Sequence, residues 1–120
     1  MRLAILTAAA FALASPALAR DCTIRTFCSD GTCQSADDMP VVITATQDGY
    51  DVTVAGEALA MVPAPGVATA TLHLQSTDVD GEMTILTLSP RGQLALTVHR
   101  VMQNEHLAVM QAIGHCDPGP

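Results

Sequence analysis

Lysine and tryptophan are absent from this chain of 120 residues, tyrosine occurs once and phenylalanine twice. Without lysine, five arginines are the only permanent cations against twelve carboxylates. A chain so poor in positive charge is repelled by nucleic acid and by anionic lipid surfaces, which attract proteins through cations set against phosphate. The shortage of aromatics removes the stacking platform that nucleic acid bases or sugar rings need. Also missing are a G-x-S-x-G elbow, an H-E-x-x-H motif and a C-x-x-C pair. The sequence therefore carries none of the motifs by which α/β-hydrolase, zinc-protease or thioredoxin chemistry is read. No apolar run reaches the roughly 20 residues that a membrane-spanning helix requires.

What is present begins with a leader. Met1-Arg2 supplies a positive n-region, Leu3 to Leu13 an apolar h-region, and Ala17-Leu18-Ala19 an A-x-A cleavage signal. Residues 1–19 are thus expected to be a signal peptide, and residues 20–120 a single domain in the periplasm or outside the cell. Cys22 follows Arg20-Asp21 rather than a small residue, which argues against a lipid anchor. Cleavage leaves 101 residues with four arginines against twelve acidic residues, a net charge of −8. That length holds one modest core and benefits from covalent staples.

Four cysteines, Cys22, Cys28, Cys33 and Cys116, supply them. In an exported domain they are most simply two disulfides. Cys28 and Cys33 flank Ser29-Asp30-Gly31-Thr32, and Asp-Gly favours a tight turn. This leaves Cys22 for Cys116, joining the first strand to the last. Two other pairings, Cys22–Cys33 with Cys28–Cys116 and Cys22–Cys28 with Cys33–Cys116, remain open on the sequence.

The rest reads as strands. Arg20 to Asp38 is polar and rich in turn formers, with one short extended stretch, Thr23 to Phe27, in which Ile24 and Thr26 face one way and Thr23, Arg25 and Phe27 the other. Val41 to Thr46 and Tyr50 to Ala55 flank Gln47-Asp48-Gly49 as a hairpin, with Tyr50, Val52 and Val54 on one face. Gly56 to Val62 is a further extended stretch or a short helical turn. Alternation resumes at Val67 to Gln75, followed by Met83 to Leu88 and Leu94 to Val101. Asn104 to Ala112 has some helical spacing in Leu107, Met110 and Gln111. A strand fits better, because the segment lies between a strand-like run and a cysteine able to tie the last edge. The expected fold is all-β, a small disulfide-stapled antiparallel barrel or sandwich of six to eight strands.

Candidate sites are few. His73, His99, His106 and His115 lie in four different segments, and with Met61, Met83, Met102 and Met110 they suit copper in ligand type. No two share the i, i+2 spacing of one strand face, and the methionines read as core fillers. Only His99 and His106, across a turn, form a pair to check. Asp78-Val79-Asp80-Gly81-Glu82 resembles part of a calcium loop, but Ser89 stands where the closing glutamate belongs. Neither metal nor cofactor is expected. The acidic stretches Asp37-Asp38 and Asp78, Asp80 and Glu82, read as loops, are the candidate contacts for a basic protein partner.

An early cysteine, a strand-rich middle and the terminal Gly114-His115-Cys116 are similar to small bacterial barrel proteins such as the periplasmic inhibitors of c-type lysozyme. The similarity covers topology and the last residues. It implies loop side chains that enter the cleft of a basic enzyme. The chain departs from that pattern in lacking a serine- and glycine-containing inhibitory loop and the usual tryptophan and tyrosine, and in its three-cysteine start. The expectation is a non-catalytic exported binding or structural domain. The alternatives are an inhibitor of a basic enzyme such as lysozyme, a metal-binding periplasmic module, and a small hydrolase without a recognisable motif.

Overall fold

Apolar side chains recur at every second position along most of the chain, and in the computed structural model these runs are strands. The structure describes residues 19–65, 71–76 and 81–118. Within them the order is β1 (Ala19–Ser29), β2 (Thr32–Ala45), β3 (Tyr50–Val54), β4 (Glu57–Pro63), β5 (Leu72–Ser76), β6 (Glu82–Leu88), β7 (Gln93–Val101) and β8 (Leu107–Cys116). There is no helix among the described residues. Each strand pairs antiparallel with the next, and β8 returns to pair with β1, closing an eight-stranded barrel. Closure pairs the first strand with the last, so the sheet lacks the two free outer strands that make open sheets prone to aggregate, although β2 extends beyond β3, which covers only its residues Val41 to Ala45. The segment at Leu107 is a strand, and so is the one at Glu57.

Every strand sends at least one side chain to a common core. Ile24, Val41, Val52, Met61, Leu74, Leu86, Leu94 and Ala112 come from β1 to β8 in turn, and all are buried. Burial of a Val, Leu, Ile or Met side chain stabilises by about 1.5–3 kcal/mol, so a core fed by all eight strands makes barrel closure cooperative. Positions 67–70 and 77–80, where further alternation and a turn were read, lie outside the described residues.

The seam between β1 and β8 is held covalently. Cys22 and Cys116 are register partners and form a disulfide with a Cα–Cα distance of 3.8 Å. Cys28 and Cys33 form the second, across the Asp30-Gly31 turn of the first hairpin. Two disulfides are the chemistry of an oxidising compartment. Gly114, opposite Ile24, stands where β8 runs close against the backbone of β1. A Cβ there would lie 2.9 Å from Ile24 Cα and press on the Thr23 carbonyl oxygen.

The first hairpin differs from the sequence reading in two ways. Arg25 is an extra residue between Ile24 and Thr26 in the pairing of β1 with β8, while on the other side three residues of β2, Ala36 to Asp38, lie opposite it. This bulge resets the alternation, so Phe27 packs against the core on the same side as Ile24, and Thr26 does not. A period of two cannot be carried across an inserted residue. The second correction concerns Asp37 and Asp38, which are not in a loop. They lie within β2, in the unpaired stretch opposite Arg25, where Asp38 takes a positive φ of 37°. Ala19, the last residue of the expected leader, opens β1 opposite Thr44, and residues 1–18 lie outside the described residues.

Candidate binding end of the barrel

In an up-and-down barrel, odd strands run towards one end and even strands run away from it. The end where β1, β3 and β7 finish and β2, β4, β6 and β8 begin is here termed the mouth end. It gathers Asp30 in the first turn, Asp37 and Asp38 in the β2 bulge, Glu57 at the start of β4, Glu82 at the start of β6, and Glu105 in the β7–β8 turn. Asp78 and Asp80 lie outside the described residues. Of the predicted acidic contacts, Asp37, Asp38 and Glu82 therefore share one end although they are far apart in sequence.

The interior is open at this end. A hollow of about 520 Å³ is lined by Val54, Leu59, Thr84, Leu96 and Val98, with Glu57 and Glu82 among its lining residues. That volume lies within the 300–1,000 Å³ range of small-ligand sites. The walls alternate from β3 through β4 and from β6 through β7, because inward positions on paired strands face each other in register. Thr84 is the buried polar residue among them, and its backbone N–H donates to Ser76 Oγ at 2.9 Å.

The two glutamates differ in their surroundings. Arg100 is the register partner of Glu82, and its Nε donates to Glu82 Oε2 at 2.8 Å while Nη2 donates to the same oxygen. Glu57 is exposed and forms no ion pair among the described residues. A second hollow of about 450 Å³ is lined by Phe27, Ala36, Asp37 and Met39 along the first hairpin. The predicted acidic contacts thus divide, Glu82 entering the central mouth and Asp37 the hairpin hollow, with Asp38 exposed beside it.

The histidines do not converge. The β7–β8 register pairs His99 with Val109 and Val101 with Leu107, while the Met102 N–H donates to the His106 carbonyl at 2.8 Å. By alternation His99 is on the outer wall and His106 on the opposite side of the hairpin. His73 Nδ1 lies 3.2 Å from Thr87 Oγ1. Among the described residues, no three His, Cys, Asp or Glu side chains group as a metal site. The methionines divide as well. Met61 fills the core as expected, whereas Met83 and Met102 are exposed, because each stands where the outer wall or a turn faces solvent.

Sequence reasoning missed Glu57 and Arg100. The signal for Arg100 was available in the turn at Pro90-Arg91-Gly92, since counting outward from it through Leu88 and Leu94 places Glu82 opposite Arg100. No comparable signal exists for Glu57, whose position depends on the closed circuit. Also unforeseen is an apolar outer stripe of Met83, Val101, Leu107, Val109 and Ile113. Among the described residues no helix is long and apolar enough to cross a membrane. No family model, curated protein or solved structure matches the chain.

Proposed function

We propose that the protein is an exported, non-catalytic binding domain, periplasmic or secreted, whose mouth end meets a basic protein partner. The observation that carries this reading is the placing of six carboxylates at one end of the barrel, where two of them, Glu57 and Glu82, line a hollow with apolar walls. They are opposed there by Arg100, already bound to Glu82, and by Arg25, which makes no ion pair among the described residues. Apolar walls can take the methylene stem of a lysine or arginine from the partner, while a carboxylate at the rim takes its charge. Glu57 is the residue for that role, because Glu82 shares its charge with Arg100. Long-range attraction between the acidic end and a basic surface raises the association rate and makes it salt-dependent.

The test is a pull-down from envelope extract with oxidised protein, repeated at higher salt. A partner of high isoelectric point is expected at low salt and is lost when Asp37, Asp38, Asp78, Asp80 and Glu82 are replaced by their amides, with Glu57→Gln alone weakening capture. Undiminished capture by all these variants moves the interface elsewhere. N-terminal sequencing of the exported product is expected to begin at Arg20. A second reading, inhibition of a basic enzyme such as lysozyme, is favoured by the barrel closed at Gly114-His115-Cys116. Lysis assays with c-type lysozyme decide it, since an inhibitor slows lysis in proportion to its occupancy.

A further inference from the structure

The other end of the barrel has aspartates of its own, Asp21, Asp48, Asp51 and Asp117, but one hollow there is lined by arginines. Arg20 from the start of β1, Arg91 from the turn between β6 and β7, and His115 near the end of β8 line one hollow of about 310 Å³, together with Gly92, Cys116 and Pro118. These residues come from three distant parts of the chain. The same seam that closes the barrel brings them together.

The hollow is firmly framed. The Cys22–Cys116 disulfide fixes β1 to β8, the Cys116 N–H donates to the Gly92 carbonyl at 2.7 Å, and the Asp117 N–H donates to the Asp21 carbonyl at 2.9 Å. Gly92 has a positive φ of 85°, and a Cβ there would stand 2.8 Å from the Cys116 carbonyl oxygen and 3.5 Å from His115 Cε1. The glycine thus keeps the turn close to β8 while leaving room beside the imidazole.

Arg20 pairs with Ile43, a core position, so its side chain starts on the inner side of the wall. Its Nε is buried and has no hydrogen-bond partner. A buried donor without an acceptor is unfavourable, and native structures resolve it with a protein group, a water or a ligand. The carboxylates at this end do not supply the acceptor. Asp21, Asp48, Asp51 and Asp117 are exposed, and neither Arg20 nor Arg91 forms an ion pair among the described residues.

We propose that this hollow binds a small oxyanion, a phosphate or a carboxylate, with Arg20 Nε–H and the Arg91 guanidinium as donors and His115 at the rim. Guanidinium groups present planar, permanently charged donor forks that match both kinds of oxyanion. The volume is at the lower end of ligand sites and suits a small anion. This site is independent of the acidic mouth: either can fail without the other.

The probe is inorganic phosphate, titrated at constant ionic strength into the oxidised protein while the arginine Nε–H resonances are followed by NMR. A saturable shift at Arg20 is expected, with Arg25, in the bulge further along β1, unmoved. Arg91→Gln, an exposed substitution, weakens the site about tenfold through loss of one charge-assisted hydrogen bond. A parallel titration with acetate distinguishes the two ligand classes, the tighter arm naming the ligand. The site is overturned by drift without saturation in both titrations, by equal shifts at Arg20 and Arg25, or by unchanged affinity in Arg91→Gln.

Discussion

At the mouth end of the barrel the hollow is lined by glutamates and apolar walls; at the closure end, by two arginines, a histidine and the seam disulfide. Both are built by the same eight strands, and composition predicts only the first. A net charge averages over the whole surface, whereas an up-and-down barrel sorts residues by the ends of the strands on which they sit. Each end also has its own disulfide. The one at the mouth joins cysteines five residues apart within a hairpin that local pairing already defines. The one at the closure end joins cysteines 94 residues apart. The difference separates a local clip from a bond that restrains the whole chain.

The largest expected effect breaks this comparison at its covalent level. Loop-closure entropy assigns about 4.7 kcal/mol to a bridge spanning a loop of roughly 95 residues and about 2 kcal/mol to one spanning roughly six. Replacing Cys22 and Cys116 together by serine is therefore expected to cost about twice as much stability as replacing Cys28 and Cys33. Urea unfolding of the two double variants measures it. Equal losses would show that barrel closure does not depend on the seam bond.

A smaller effect separates the two ends through their glycines. Gly114→Ala places a methyl against the Thr23 carbonyl and Ile24 Cα, both backbone, so the strands themselves must move. A loss of about 2–3 kcal/mol is expected from such overpacking. At the mouth end, Gly31 has a φ of 85° but open space around it. Gly31→Ala is expected to cost about 1 kcal/mol, the penalty of a side chain in a left-handed conformation. Thermal unfolding of the two variants should rank them in that order, and the reverse order would place the tight point of the fold elsewhere.

The smallest effect concerns the ion pair at the mouth. Arg100 is half exposed, so a double-mutant cycle of Glu82→Gln with Arg100→Gln is expected to give a coupling below about 1 kcal/mol. A larger coupling would make the pair a structural brace of β6 and β7 and weaken Glu82 as a partner contact.

Much of the architecture was legible because its signals are local. The Asp30-Gly31 turn, the alternation from Tyr50 to Val54 and the run from Leu94 to Val98 each determine their own geometry within a few residues. Cys22 and Cys116 extend this reach, since the local claim of Cys28 on Cys33 leaves them to each other. The bulge at Arg25 was not legible: no glycine or proline marks it within β1, and those beside it, Pro40 and Gly114, stand on β2 and β8, whose pairing imposes it. Its effect on Phe27, Asp37 and Asp38 was lost with it. The acidic residues could be named from the sequence, but their common end could not, because it follows from the number and direction of strands. The cationic hollow was nearer to hand. Arg20 lies two residues before Cys22 and His115 one before Cys116, so the seam pairing puts both at one end of the barrel, on either side of the disulfide, with His115 opposite Thr23.

Hydrogen–deuterium exchange on the protein with and without its captured basic partner tests the central claim, that the acidic mouth is the protein-binding end, most directly. Protection is predicted in the β2 bulge at Asp37 and Asp38, at the Ala55-Gly56 turn with Glu57, and at the start of β6, with Pro90 to Gly92 and the end of β8 unchanged. Protection confined to the closure end, with the mouth exchanging as in the free protein, would contradict it.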